Sequence, residues 1–239
     1  MTEPLLRLRG IFKSFGGVVA LQNVYLDVHP GVRHLLIGPN GAGKTTLFNV
    51  INGQVRPGAG TIEFAGSDVT RHALSKRARH GLARTFQVAS LFPRVTVWDN
   101  LLVAAQAPGL FKKGAGSANS AAERFLEESG LAGQRHILAG NLAYGQQRLL
   151  DIAIALATEP RMLLLDEPMA GLTPEERTSF AERIVQLSER TAILLIEHDL
   201  EVALQIAQRV TVLHLGAIVC DGEPAAVLAD PIVKQIYLG

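Results

Sequence analysis

Cysteine is nearly absent from this chain of 239 residues: Cys220 stands alone, so no disulfide framework is possible, and a reducing compartment suits the protein. Long apolar runs are missing too. Runs such as 162–165 and 192–196 are the size of strands, which excludes a membrane-spanning helix. Charge of one sign is missing as well: the formal net charge is +1, and no basic tract exceeds Lys76-Arg77 or Lys112-Lys113, which argues against a nucleic-acid footprint. Arg77, Arg79 and Arg84 with His72 and His80 read as a solvated helix face rather than a basic patch. Met1-Thr2-Glu3-Pro4 has neither a charged leader nor an apolar signal core. No internal repeat or low-complexity tract is visible, and no large regulatory domain is expected after Asp221. The length suits one large domain, expected to carry an inserted subdomain.

What the chain does have is a glycine-rich octet in a telling context. Gly38-Pro39-Asn40-Gly41-Ala42-Gly43-Lys44-Thr45 fits the P-loop pattern G-x-x-x-x-G-K-[ST]. Arg33-His34-Leu35-Leu36-Ile37 before it reads as a short buried strand, and 46–51 after it reads as a helix opening. In such a loop, backbone N–H groups converge on one concavity and the helix N-terminus adds partial positive charge. Lys44 then reaches the β- and γ-phosphates, and Thr45 offers a hydroxyl to Mg²⁺.

A second motif lies at Met162-Leu163-Leu164-Leu165-Asp166-Glu167-Pro168. Four apolar residues ending in two acids describe a buried strand delivering carboxylates at its carboxyl end, where ligands sit in open α/β sheets. With a P-loop upstream, Asp166 is placed for the Mg²⁺ shell and Glu167 for polarising the water that attacks the γ-phosphate.

The texture between and around these motifs changes along the chain. Residues 5–65 read as strands (5–9, 24–28, 33–37, 61–64) with the single P-loop helix. From about residue 70 to 156 the pattern turns helical, with a capping signal at Thr96 and Asp99 and a loop expected at 107–120. Beyond Arg161 the prediction alternates: strand 162–165, helix 174–188 opened by Thr173-Pro174-Glu175-Glu176, strand 192–196, helix 200–208, and a hairpin of 210–214 with 217–221. The fold class predicted is a mostly parallel α/β sheet covered on both faces, with an antiparallel β edge and a helical insertion.

Taken in order, the motifs resemble those of the nucleotide-binding subunits of ATP-binding cassette (ABC) transporters over essentially the whole chain. Residues 38–46 match the P-loop, Arg84-Thr85-Phe86-Gln87 the Q-loop, and Leu142-Ala143-Tyr144-Gly145-Gln146-Gln147-Arg148 the signature. Residues 162–168 match the Walker B strand, Ala170-Gly171-Leu172-Thr173 the D-loop, and Glu197-His198-Asp199 the switch histidine. Phe15-Gly16-Gly17, the signature and the terminal Tyr237-Leu238-Gly239 are similar, within that family, to the ATPases of branched-chain amino-acid importers.

The resemblance implies a RecA-like P-loop NTPase core at 1–88 and 157–239, with an antiparallel β subdomain, and a helical subdomain at 89–156. It implies that ATP and Mg²⁺ bind at Phe15, Asn40, Gly41, Ala42, Gly43, Lys44, Thr45 and Thr46, with Phe15 either stacking on adenine or serving as core. Glu167, His198 and Gln87 would be catalytic; Thr45, Gln87 and Asp166 would hold the metal. Ala143, Tyr144, Gly145 and Gln146 would complete the ATP site of a second ABC ATPase, identical or not. Permease subunits and, indirectly, an external binding protein would be partners, with the chain peripheral on the inner membrane face. Ala143 and Tyr144 depart from the common Leu-Ser-Gly-Gly-Gln signature, removing a serine hydroxyl; Ile154 and Thr173 depart at an Arg and an Asp position. A lipopolysaccharide-type export ATPase and a non-transport ABC module remain open alternatives.

Overall fold

The computed structural model describes residues 3–85, 91–106, 118–188, 191–197 and 200–238. The chain begins with a hairpin of β1 (Leu6–Phe15) and β2 (Val18–Val28), followed by β3 (Arg33–Ile37) and the P-loop helix α1 (Lys44–Asn52). β4 (Ala59–Phe64) and the short β5 (Ser67–Asp68) complete a four-stranded antiparallel sheet in the order β2-β1-β4-β5. Next come α2 (Leu74–Arg79), β6 (Leu82–Arg84), α3 (Val97–Ala105), α4 (Ala118–Glu128) and α5 (Tyr144–Ala157). The remainder alternates: β7 (Met162–Asp166), α6 (Pro174–Leu187), β8 (Ala192–Ile196), α7 (Leu200–Ile206), β9 (Arg209–His214), β10 (Ala217–Gly222), α8 (Pro224–Ala229) and α9 (Pro231–Leu238).

The second sheet has the order β10-β9-β3-β8-β7-β6, parallel throughout except for the β9–β10 hairpin. Its inner strands β7 and β8 are buried on both faces because both faces are covered. Leu35, Ile37, Leu163, Leu165, Ile193 and Leu195 pack toward the helices α5, α6 and α7. Their alternate neighbours Leu36, Leu164, Leu194 and Ile196 pack with Leu47, Phe48 and Ile51 of α1 and with the antiparallel sheet. The P-loop helix is therefore held between the two sheets. The helical insertion shares the first of these cores through Val97, Leu101, Phe125 and Leu150.

Local sequence explains several boundaries to the residue. Thr173 caps α6, its hydroxyl accepting from Glu176 N–H while the Glu176 carboxylate accepts from Thr173 N–H, with Pro174 at the first helical position. Thr96 caps α3 in the same way, accepting from Asp99 N–H. Leu215 and Gly216, both at positive φ, close the β9–β10 hairpin.

Four expectations are corrected. The stretch 70–156 is not wholly helical: β6 adds a parallel strand beside β7, three residues too short to leave a periodic signal. β1 and β2 run far past 5–9 and 24–28, because register shifts at Gly10 and beyond let the pair continue through residues that break the alternation. α4 already begins at Ala118, inside the expected loop; residues 107–117 lie outside the described residues.

Fourth, Arg77 is not part of a solvated face, although Arg79 of the same group is exposed. Arg77 is 1% exposed, and its guanidinium donates to the carbonyls of Val50 and Ile51 at 2.6 Å each, and of Thr70 and His72 at 3.0 Å. It thus closes the C-terminal end of α1, the end where the helix dipole favours a cation. Burial pulls its pKa down to about 10, still charged at neutral pH.

Candidate functional site

The P-loop leaves β3 at its carboxyl end and enters α1. Two of its glycines are sterically required: a Cβ at Gly38 would lie 2.1 Å from the Leu213 carbonyl oxygen, and one at Gly43, with φ of 106°, would lie 2.5 Å from that of Ala20. The loop is therefore wedged between β9 and β2. Ala42 is buried and its carbonyl accepts from Gly216 N–H at 2.9 Å, while Asn40 and Gly41 face outward. No side chain caps α1 and no acid lies in its first turn, which leaves the N–H groups around Thr45 and Thr46 to an anion.

Lys44 folds back across the loop, donating to the carbonyls of Gly38 at 2.6 Å and Pro39 at 3.0 Å. Burial lowers its pKa, whereas the carboxylates of Glu167 and Asp166 act in the opposite sense, so the cation and the two acids share one field. The structure thus brings together the P-loop and the acids of the second motif, from opposite ends of the sequence.

Asp166 ends β7 with its side chain 2% exposed, and its Oδ2 lies 3.0 Å from Arg84 Nη2. Glu167 follows in the left-handed region at φ 50°, an uncommon place for a non-glycine residue and one that breaks the strand direction immediately after Asp166. Its N–H donates to the Ile196 carbonyl at 2.9 Å, tying the turn to the end of β8. The buried Glu197 carboxylate accepts from Met169 N–H at 2.8 Å and fixes the same turn from its other side.

A divalent cation fits this donor set. A hydroxyl at a helix start and a buried carboxylate at a strand end are hard oxygen donors, and no group of three or more His, Cys, Asp or Glu able to hold a metal occurs among the described residues. Mg²⁺ characteristically binds through one or two carboxylates together with substrate phosphates, which is what Thr45 and Asp166 beside a phosphate-binding loop would allow.

Phe15 is 49% exposed at the end of the β1–β2 hairpin, with Lys13 Nζ 4.8 Å from its ring centroid. It is therefore not a core residue. The signature residues stand at the start of α5. Ala143 has no side-chain acceptor; at that helix start Gln146 Oε1 accepts from Ala143 N–H at 3.2 Å and Gln147 Nε2 donates to the Leu142 carbonyl at 2.9 Å. Tyr144 is exposed; its hydroxyl accepts from Arg148, and a Cβ at Gly171 would meet its ring at 3.2 Å, so signature and D-loop touch within one chain. Gly145 and Gln146 are half-buried beside it. Gln87 and His198 lie outside the described residues.

The structure also draws in Arg84, Asn49 and Glu197, to which sequence reasoning gave no role. Their sequence signal is membership of the Q-loop match for Arg84 and of the switch match for Glu197, and for Asn49 a place in the helix after the P-loop. Arg84 Nη1 donates to Asn49 Oδ1 of α1 at 2.6 Å, so one guanidinium joins the P-loop helix to the carboxylate strand.

Comparison with known proteins agrees with this geometry. The family model described as "ABC transporter" matches residues 21–170. The chain is 40% identical over 253 residues to the high-affinity branched-chain amino acid transport ATP-binding protein LivG of Escherichia coli K12, covering 100% of this chain and 99% of that protein. It is equally similar, at 40% identity and the same coverage, to BraF of Pseudomonas aeruginosa, which carries the same description. Among solved structures, the ADP conformation of MJ1267, an ATP-binding cassette of an ABC transporter, superposes with a TM-score of 0.86 at 34% identity, covering 100% of both chains.

Proposed function

The chain belongs to the ABC transporter family as one of its ATP-binding, ATP-hydrolysing subunits, and we propose that it powers an importer of branched-chain or other hydrophobic amino acids. The observation that carries the site assignment is the junction of the P-loop helix with the end of β7, where Arg84 donates to Asn49 Oδ1 of α1 at 2.6 Å and to Asp166 Oδ2 at 3.0 Å. The names of the full-length relatives favour import of amino acids over the lipopolysaccharide-type export alternative.

In this reading the loop N–H groups and Lys44 hold the β- and γ-phosphates, and Phe15 stacks on the base. Thr45, Asp166 and Gln87 hold Mg²⁺, which when bound neutralises charge on the phosphate oxygens. Glu167 orients and polarises the attacking water, while His198 hydrogen-bonds the γ-phosphate. The strained backbone of Glu167 supports its role, since such strain persists where surrounding structure fixes a side chain for function.

The signature residues Ala143, Tyr144, Gly145 and Gln146 would complete the site of a second cassette packed head to tail, each chain contributing to both nucleotide sites. The start of α5 supports that use: Ala143 and Tyr144 are exposed and no side chain of the capping residue takes the first N–H groups of the helix. Residues 89–156 would move as a helical subdomain against the core at 1–88 and 157–239, passing closure to permease subunits near Gln87. No helix among the described residues is long and apolar enough to cross a membrane, so membrane attachment on the inner face would come through those permease subunits.

The test is transport. In vesicles carrying the chain with its permease and a binding protein, ATP on this chain's side should drive uptake of labelled leucine, and Lys44→Ala should abolish it. Movement of a lipid, or leucine uptake that is indifferent to Lys44→Ala, would contradict the reading.

A further inference from the structure

We propose that Arg84 is a positioning residue for the metal carboxylate: a fixed strut that spans the P-loop helix and the end of β7 and sets the aim of Asp166. The inference rests on the reading of Asp166 as the divalent-cation ligand. The guanidinium is held at both ends, by Asn49 Oδ1 at 2.6 Å and by Asp166 Oδ2 at 3.0 Å. It lies 6.0 Å from the Phe48 ring centroid, and its side chain is only 12% exposed. A long side chain pinned at two points and shielded on one face does not swing aside when a cation arrives.

The chemistry explains why arginine is used. Asp166 is 2% exposed, and a carboxylate that far from water needs a hydrogen-bonded partner to stay ionised. Arginine's planar fork reaches two acceptors in fixed directions, whereas a lysine ammonium reaches one of them as a point charge. Partners of a ligating carboxylate fix its orientation, and losing one typically weakens metal binding 10- to 100-fold. Asn49 and Asp166 come from α1 and β7, so the strut locks phosphate loop and metal ligand into one frame. Arg84 is also the last residue of β6, three positions before Gln87, so the same frame reaches the start of the Q-loop.

The experiment compares wild type with Arg84→Met, Arg84→Lys and Asn49→Ala, each checked for folding by its melting curve. Binding of a fluorescent ADP is measured in EDTA, and Mn²⁺ binding at saturating ADP is followed by electron paramagnetic resonance. Arg84→Met should leave nucleotide affinity in EDTA unchanged and weaken Mn²⁺ about tenfold or more. Arg84→Lys should fail to restore Mn²⁺ affinity. Asn49→Ala should weaken Mn²⁺ less, and the double variant no more than Arg84→Met alone, since both act through one strut.

Unchanged or tighter Mn²⁺ binding in Arg84→Met overturns the proposal, as does full rescue by Arg84→Lys. If Arg84→Met does not fold, Asn49→Ala decides: weakened Mn²⁺ supports the strut, and wild-type Mn²⁺ affinity refutes it. A wild-type protein that binds ADP but never Mn²⁺ would remove the metal site itself, an outcome separate from the failure of Arg84.

Discussion

Replacing Arg77 with methionine should be among the most destabilising single changes available in this protein that touch no nucleotide-site residue. Methionine keeps much of the apolar stem and removes the guanidinium, and with it one donor from each of four carbonyls, those of Val50, Ile51, Thr70 and His72. Taking only the two short bonds to α1, at about 1.5–3 kcal/mol for each bond to a charged group, the loss is about 3–6 kcal/mol. Relief of the guanidinium's desolvation, visible in its lowered pKa, offsets part of that. A net cost of about 3 kcal/mol corresponds, for a chain of this size, to a fall in melting temperature of about 6–12 °C. Scanning calorimetry at pH 7 without nucleotide reads that fall directly. Hydrogen exchange should place the loosening at the C-terminal turn of α1 and at Gly53, whose N–H bonds the Val50 carbonyl. A fall below about 2 °C would refute the argument that this cation closes the P-loop helix.

Other consequences follow from the site and its supports. Glu167→Gln should keep nucleotide binding, because the amide retains shape, and should trap a nucleotide-bound dimer; gel filtration with ATP showing only monomer would deny Glu167 a catalytic role. Ala143→Ser, measured in an assembled heterodimer, should speed hydrolysis at the partner's P-loop by roughly tenfold, from one restored bond to a charged oxygen, and leave the Lys44 site unchanged. Equal wild-type rates at both sites would remove the asymmetry on which that change depends. Burial pushes Asp221 up, but hydrogen bonds from His34, Arg209 and Thr211 outweigh it and hold the carboxyl well below its ordinary 3.8. A depressed folded value stabilises above the unfolded value and is lost as pH falls, so the melting-temperature gap between wild type and Asp221→Asn should be full at pH 7 and shrink below about pH 4. A gap constant from pH 7 to pH 3 would show that ionisation of Asp221 contributes nothing.

The parts of the fold legible in the sequence were those encoded by neighbours. The sequence reads β8 at its true ends because five apolar residues lie between polar flanks, and α6 at its true start because Thr173, Pro174 and Glu176 write the cap. The P-loop and the Asp166-Glu167 pair were legible because their chemistry demands fixed spacing. What stayed hidden depends on residues distant in the chain. β6 is a strand only because Met162 and Leu164 offer it an edge, and Arg77 and Arg84 resembled surface charge until α1 and β7 were folded against them. α8 and α9 each begin at a proline and hold on through Val227 and Val233, anchors too sparse to give a period.

The most direct test of the account is a nucleotide titration of Lys44→Ala paired with its melting curve. Lys44 contributes a charged contact to phosphate worth about 2 kcal/mol or more, so ATP affinity should fall at least about thirtyfold. The melting temperature of the nucleotide-free variant should stay near that of wild type, because among the described residues the side chain donates hydrogen bonds to its own loop, at Gly38 and Pro39. A folded Lys44→Ala protein that binds ATP with wild-type affinity would contradict the assignment of this loop as the nucleotide site, and with it the function built on that site.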